Sequence, residues 1–287
     1  MPNAATQQFL AVFEILLVLA GAYLIVRLVR QPAPQARWLR SSQFPPWPVT
    51  AVEFCLFLLL IFVSGLLLQA VVRIAFGHSI AAAPDRGGLE VFAYGFGFHG
   101  GGLLGWLLFP LLRRFLYRNY GTVPAAAPQP SGLAWNKIPA LAGGTLLVAL
   151  PIVILLNFGW TALLRRLGLP DEPQDLIAIF AGTKSPVVIA GMLFVACVLA
   201  PLNEELIFRA GLYRFTRQRL GRGWALVITG SLFGALHGNL AGIVPLGVLG
   251  ALLAVAYEAT GDIRVSIVAH GLFNLNTILI ILSGLSD

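Results

Sequence analysis

Two adjacent glutamates lie in the segment PLNEELIFR, residues 201–209, which is otherwise as apolar as a membrane span. Neighbouring residues on an α-helix point about 100° apart, so Glu204 and Glu205 cannot do the same job. Glu205 and Arg209 are spaced i, i+4 and share a helix face, where their charges can neutralise each other. Glu204 has apolar side chains at the equivalent positions, so another helix or water must meet its charge. Because ionisable groups at membrane depth are functional candidates, we expect Glu204 to take part in chemistry.

Two later apolar segments each carry a polar pair at the same spacing. Phe233 and His237 occur in SLFGALHGN, and His270 and Asn274 occur in VAHGLFNLN. Each pair projects from one face of a helix. A carboxylate, two imidazoles and an amide around a wet cavity can activate water and stabilise an oxyanion, which fits hydrolysis. Phe233 is expected to pack in the interior or to form a pocket wall.

The same side chains leave the role of a metal open. Glu204, His237 and His270 resemble a His₂Glu zinc set with one open coordination position. A metal-free mechanism, in which the glutamate acts as the base, uses the same three residues. In both versions Asn274 can donate its amide N–H to the developing oxyanion. The cofactor is therefore left open between a divalent metal such as zinc and none.

The composition indicates a membrane protein. Hydrophobic residues make up 58% of the chain and charged residues only 11%, whereas soluble proteins carry about 25% charged residues. The chain cannot cover a soluble surface, so lipid must be its main solvent. The net charge of +7 comes mostly from arginine and is interpreted as topological bias. Since no soluble basic face is visible, we expect no nucleic-acid partner.

Eight apolar segments are long enough to cross a bilayer, which takes about 20 residues. The fold class predicted is an all-α, polytopic membrane helical bundle with its active site within the bilayer. Pro201 removes a backbone hydrogen bond and predicts a kink in the fifth span. The predicted spans are roughly 9–29, 51–76, 90–116, 138–164, 186–215, 224–239, 241–259 and 264–283.

Arginine and lysine occur mainly in alternate loops, which predicts that the odd-numbered loops are cytoplasmic and that both termini lie outside. At a rise of about 1.5 Å per residue, Glu204 and Asn274 lie about 15 Å from the cytoplasmic ends of their spans, His270 about 9 Å and His237 about 22 Å. With ordinary tilts these depths allow one buried pocket, although His237 fits least well. The positive residues used here are Arg30, Arg37, Arg40, Arg113, Arg114, Arg118, Lys137, Arg214, Arg217, Arg219 and Arg222.

A glycine-rich run in the third span matches G-x-G-x-x-G between Gly95 and Gly100. That dinucleotide fingerprint has meaning only between a strand and a helix. Within a span, close helix packing through small residues is the favoured interpretation. His99, inside the run, is accordingly expected to pack or to form a hydrogen bond rather than to bind a ligand.

In this order and spacing, the three motifs resemble the CPBP family, which comprises the type II CAAX prenyl endopeptidases and the bacteriocin-processing proteases and is also called Abi. The resemblance covers residues 204–274 and implies an eight-helix intramembrane protease. It implies that Glu204 is the general base, that His237 assists it or binds a metal, and that His270 and Asn274 form the oxyanion site. It also implies that Glu205 and Arg209 support the site, beside Phe233.

From this resemblance we expect residues 1–137 to hold three N-terminal helices and loops, and residues 138–287 to hold the protease core, joined as one membrane domain. The expected substrate is a membrane-associated protein or peptide, and the expected location is a bacterial plasma membrane. The substrate's identity, its prenylation and the oligomeric state remain open. The alternatives are a non-catalytic immunity or partner-binding protein and a proton-coupled transporter. No inverted repeat supports the transporter.

Overall fold

The computed structural model describes residues 4–30, 47–120, 132–172 and 175–283, and these residues form helices without strands. The predicted polytopic helical bundle is confirmed. Arg37 and Arg40, used in the orientation prediction, lie outside the described residues. The helices are α1 (Ala4–Arg30), α2 (Ala51–Ala81), α3 (Arg86–Tyr120), α4 (Ile138–Leu167), α5 (Asp175–Gly182), α6 (Pro186–Phe194), α7 (Ala200–Glu205), α8 (Arg214–Leu236), α9 (Leu240–Thr260) and α10 (Ile263–Ser283).

Seven helical segments of the described chain are long and apolar enough to cross a membrane, and the longest, Pro186–Leu236, has 51 residues. A straight helix of that length would measure about 77 Å, more than twice the hydrocarbon core. It is broken at Gly221, whose φ of 79° and ψ of 175° are not helical and are tolerated because glycine has no Cβ. The break lies between the predicted fifth and sixth spans, and the predicted count of eight spans stays a prediction beside the seven segments found in the described residues.

One compact unit consists of Met1–Phe44, Pro130–Ala181 and Arg219–Asp287. Within it, α4 contacts α1, α9 and α10. Small residues bring these helices close together: a Cβ added to Gly21 of α1 would lie 1.9 Å from the carbonyl oxygen of Leu147. The core side chains shared by α4, α9 and α10 are Ala142, Ala149, Val153, Leu249, Leu253 and Ala269.

Polar contacts fix the ends of the helices in this first unit. Arg222, at the start of the second half of α8, pairs with Glu258 of α9 at 2.9 Å. Between α9 and α10, the carboxylate of Asp262 accepts hydrogen bonds from the side chain of Arg264 and from the backbone N–H of Leu133. The loop before α4 is thereby tied to the turn before α10.

The second compact unit consists of Pro45–Gln129 and Gly182–Gln218. Its α2 and α3 form a closely packed antiparallel pair. A Cβ added to Gly97, Gly101 or Gly105 would overlap the backbone of α2, at 2.8, 2.2 and 2.5 Å respectively. The spacing of four residues along one face of α3 confirms that this part of the glycine run serves helix packing.

The start of α2 is fixed by hydrogen bonds that the local sequence provides. Thr50 and Glu53 form a reciprocal capping box at the N-terminus of α2, and each satisfies a backbone N–H of the first turn. Glu53 also pairs with Arg113 of α3 at 2.6 Å.

The predicted division of the chain between residues 137 and 138 concerns domains rather than these compact units, so it stays a prediction.

Candidate active site

The second glutamate of the opening motif is committed to an ion pair. Oε1 of Glu205 lies 2.7 Å from Nη1 of Arg209, and the two side chains are 0% and 1% exposed. The predicted i, i+4 pairing is confirmed. A buried charge that loses its partner typically costs about 3–5 kcal/mol. This pair therefore stabilises the helix at Glu205, and the Glu205 carboxylate is engaged by Arg209.

The helix that carries the motif is irregular on both sides of it. Val195–Leu199 and Leu206–Tyr213 are π-helical, and the six-residue α7 lies between them. Pro201, at the start of α7, has no N–H to continue the α-helical ladder. A π-helical turn with i→i+5 hydrogen bonds is one way for a helix to absorb such a residue, and such turns often occur at functional sites. The sequence signalled a disturbance at Pro201, but not a second π-helical segment after Glu205.

Glu204, the residue selected for chemistry, is half-buried on α7. The residue before it, Asn203, is 1% exposed, and its amide nitrogen Nδ2 lies 3.3 Å from Nδ1 of His99 on α3. His99 is therefore hydrogen-bonded, as predicted. The hydrogen bond between His99 and Asn203, the residue before Glu204, was not predicted, because His99 and Asn203 lie far apart in the chain.

His237 lies in the turn between α8 and α9. Its Nδ1 is 2.7 Å from the carbonyl oxygen of Phe233. A carbonyl only accepts, so Nδ1 carries the proton and Nε2 of the neutral ring has the lone pair. Asn239 caps α9 by accepting from the N–H of Gly242 at 2.8 Å and donates from Nδ2 to the carbonyl of Glu172 at 2.9 Å. The turn thus gives the imidazole a fixed direction.

Phe233 lies between the two histidines of the first unit. Its ring centroid is 4.8 Å from that of His237 and 5.5 Å from that of His270, the second contact being edge-to-face. Phe233 is fully buried, in agreement with the prediction that it packs or forms a wall. Gly250 of α9 makes room for it, because a Cβ there would lie 3.0 Å from the Cβ of Phe233.

The second and third motifs therefore meet in space, although they come from different helices. His270 is 2% exposed, and Asn274 follows it by one turn on α10 and is half-buried. Glu204 and its neighbours belong to the other compact unit. The single site proposed for Glu204, His237, His270 and Asn274 accordingly stays a prediction.

Neither unit's described residues contain a group of three or more histidine, cysteine or acidic side chains placed to hold an ion. The predicted set of Glu204, His237 and His270 draws members from both units, so it also stays a prediction. The proton on Nδ1 of His237, donated to a backbone carbonyl, is the arrangement that a metal-binding histidine commonly has.

Comparison with known proteins identifies the part of the chain that carries the motifs. Residues 186–276 match the family model described as type II CAAX prenyl endopeptidase Rce1-like. This segment is similar to the type II CAAX prenyl endopeptidases. It includes all seven motif positions from Glu204 to Asn274, and over these residues the resemblance to the CPBP family is confirmed.

A curated relative carries no assigned function. An "Uncharacterized 24.3 kDa protein" of Escherichia coli is 33% identical over 113 residues, which amount to 37% of this chain and 50% of that protein. The chain therefore spans about half the length of the curated relative that it matches. No solved structure matches the chain.

Proposed function

We propose that this membrane protein is an intramembrane endopeptidase that hydrolyses a peptide bond of a membrane-associated protein or peptide. The observation that carries the proposal is the contact of Phe233 with both His237 and His270, which assembles two of the three motifs around one buried ring. The match of residues 186–276 to an endopeptidase family supports the same activity.

The two glutamates have different roles in this proposal. Glu205 is held by Arg209 in a fully buried pair, so its carboxylate is not available to a reacting water. Glu204 lies on a different face of the same helix and is half-buried. Glu204 is therefore the general base, and Glu205 and Arg209 support the helix that carries it.

The reaction is a hydrolysis in two steps. Glu204 takes a proton from water while the water oxygen bonds to the carbonyl carbon of the scissile peptide, and a tetrahedral oxyanion forms. The carbon–nitrogen bond then breaks, and the proton passes from Glu204 to the leaving amine. Nε2 of His237, with Nδ1–H donated to Phe233, can accept a hydrogen bond from the attacking water and orient it.

His270 and Asn274 supply the oxyanion site. Both lie on one face of α10, one turn apart, where an imidazole N–H and an amide N–H can donate to the same oxygen. Preorganised donors of this kind contribute about 2.7–4 kcal/mol each to lowering the barrier in other hydrolases. If Glu204, His237 and His270 bind a zinc ion, the metal would polarise the water or the carbonyl, and the residues keep the positions assigned here.

The substrate class follows from the membrane setting. Access from the bilayer favours a leader peptide or a membrane-anchored protein, and the proposed location is a bacterial plasma membrane with both termini outside. Prenylated and unprenylated C-terminal peptides are separate arms of the test. Nucleic acid has no part in the proposal.

The test is a cleavage assay with the purified full chain in liposomes. Probes are leader peptides, membrane-anchored peptides and C-terminal peptides with and without a farnesyl group, and mass spectrometry locates the cut. We expect cleavage that Glu204→Gln abolishes and that the control Glu90→Gln, at a partly exposed glutamate of α3 that pairs with Arg86, retains. Equal cleavage by wild type and Glu204→Gln would contradict the proposal. Repeating the assay with a chelator, followed by zinc, separates the metal-dependent from the metal-free version.

A further inference from the structure

We propose that His99 of α3 is a positioning residue for Glu204, acting through Asn203. The inference rests on the proposed function, because it concerns how the general base is held. His99 lies outside the segment that matches the family model, residues 186–276, and outside the three motifs. The geometry that points to it lies wholly within the second compact unit.

The side chain of Asn203 is clamped between His99 and Gly102. Asn203 is 1% exposed, and its Nδ2 lies 3.3 Å from Nδ1 of His99. An amide nitrogen only donates, so Nδ1 is the acceptor and the proton of His99 resides on Nε2. The amide oxygen Oδ1 has no hydrogen-bond partner among the described residues. His99 is thus the side chain that fixes the orientation of this buried amide.

Gly102 forms the other side of the clamp. A Cβ at Gly102 would lie 2.6 Å from Oδ1 and 2.7 Å from Nδ2 of Asn203. His99 and Gly102 are spaced i, i+3 and therefore share a face of α3. This face differs from that of Gly97, Gly101 and Gly105, which packs on α2. The glycine run consequently serves two purposes, helix packing on one face and a notch for Asn203 on the other.

The position of the clamp explains its importance for Glu204. The segment α7 is only six residues long and has π-helical turns on both sides, so regular α-helical hydrogen bonding constrains it over less than two turns. Two side chains add to that constraint. Asn203 is held by His99 immediately before Glu204, and Glu205 is held by Arg209 immediately after it. A catalytic side chain must be held to within about 0.5 Å of its working position, and fixing both neighbours achieves this.

The first experiment compares substitutions at His99 by steady-state kinetics on a peptide that wild type cleaves. His99→Leu removes the acceptor, whereas His99→Asn retains a polar acceptor near the position of Nδ1. We expect His99→Leu to lower kcat about 10²-fold, the effect of a misplacement of roughly 1 Å, with KM unchanged. His99→Asn should recover to within about threefold of wild type, and His78→Leu, at an exposed histidine of α2, should match wild type.

A second pair of variants approaches the clamp from the glycine side. Gly102→Ala would push against the amide of Asn203, whereas a Cβ at Gly100 would meet only Leu68, at 3.8 Å. We expect Gly102→Ala to lower kcat and Gly100→Ala to leave it unchanged. Thermal unfolding of each variant in detergent is measured in parallel, since a purely structural bond would lower the melting temperature without a selective loss of kcat.

The outcomes separate this inference from the proposed function. Wild-type kcat in His99→Leu, while Glu204→Gln is inactive, overturns the positioning role and leaves the endopeptidase proposal standing. Full activity in Glu204→Gln contradicts both the positioning role of His99 and the proposed function. A fall in kcat that His99→Asn does not rescue, accompanied by a lower melting temperature, also overturns the inference because it assigns His99 a structural role only.

Discussion

The Nδ1–H of His237 donates a hydrogen bond to the carbonyl oxygen of Phe233, 2.7 Å away and one helical turn earlier. The four-residue spacing between Phe233 and His237 therefore has two consequences. It brings Nδ1 of His237 within hydrogen-bond distance of the backbone carbonyl, and it packs the same imidazole against the phenylalanine ring at a tilted angle, with 4.8 Å between the ring centroids. His99 has the opposite arrangement, since its Nδ1 accepts from Asn203.

The two histidines should consequently hold opposite tautomers. We expect Nδ1–H for His237 and Nε2–H for His99 in the neutral state. ¹⁵N NMR of histidine-labelled protein distinguishes these forms, and because the chain has 4 histidines, single substitutions assign each signal. Asn203→Leu should alter the His99 signal and leave the His237 signal unchanged. Finding Nδ1–H on His99 would contradict the assignment.

Phe233 should be needed for both stability and cleavage. Phe233→Ala opens a cavity in a fully buried position and should cost about 3–5 kcal/mol in the free energy of unfolding. It also frees both imidazoles, so cleavage should fall more than for Phe233→Leu, which fills most of the space. Phe158→Ala, at a side chain that is 71% exposed, is the control. Both properties are measured on the same samples, by thermal unfolding and by the peptide assay.

The ion pair of Glu205 and Arg209 should behave as a unit. Arg209→Met leaves a buried carboxylate without its partner and should destabilise the protein by about 3–5 kcal/mol. The double variant Glu205→Leu/Arg209→Met removes both charges and should recover most of that loss. Denaturant unfolding in mild detergent of wild type, Arg209→Met, Glu205→Leu and the double variant gives the four free energies. If the double variant is as unstable as the sum of the single variants, the pair is not the source of the effect.

The turn before α10 should show a pH dependence. Hydrogen bonds from the Arg264 side chain, and from the backbone of Arg264 and Leu133, hold the pKa of Asp262 below its ordinary value despite partial burial. A lowered pKa means that the ionised carboxylate stabilises the fold above pH ~4, and that this contribution is lost as the pH falls through the folded-state pKa.

The measurement for this turn is the melting temperature of wild type and Asp262→Asn from pH 7 down to pH 3. The variant should be less stable at pH 7, by about 1 kcal/mol for a pair that is partly exposed, and the difference should shrink as the pH falls. Asp171→Asn, which breaks the more exposed pair with Arg165, should show little difference at any pH. A difference that grows in acid would contradict the assignment to Asp262.

Contacts within one helix were predictable from the sequence, and contacts between helices were not. The pairing of Glu205 with Arg209 follows from a spacing of four residues on one helix. The bond of Asn203 to His99 joins residues 104 positions apart, and the contact of Phe233 with His270 joins two different helices. Both depend on how the helices pack, which hydrophobic length and positive charge do not specify. Pro201 indicated an irregular helix but not its π-helical form.

The break at Gly221 leaves residues 222–236 as a helix only about 22 Å long, while the hydrocarbon core of a bilayer is about 30 Å thick. This hydrophobic mismatch requires either local thinning of the bilayer or a turn that lies below the lipid headgroups. Backbone outside a helix is tolerated at such depth only against protein or water. In both cases the distance from bulk water to His237 depends on bilayer thickness, and under the proposed function the rate of hydrolysis should depend on it as well.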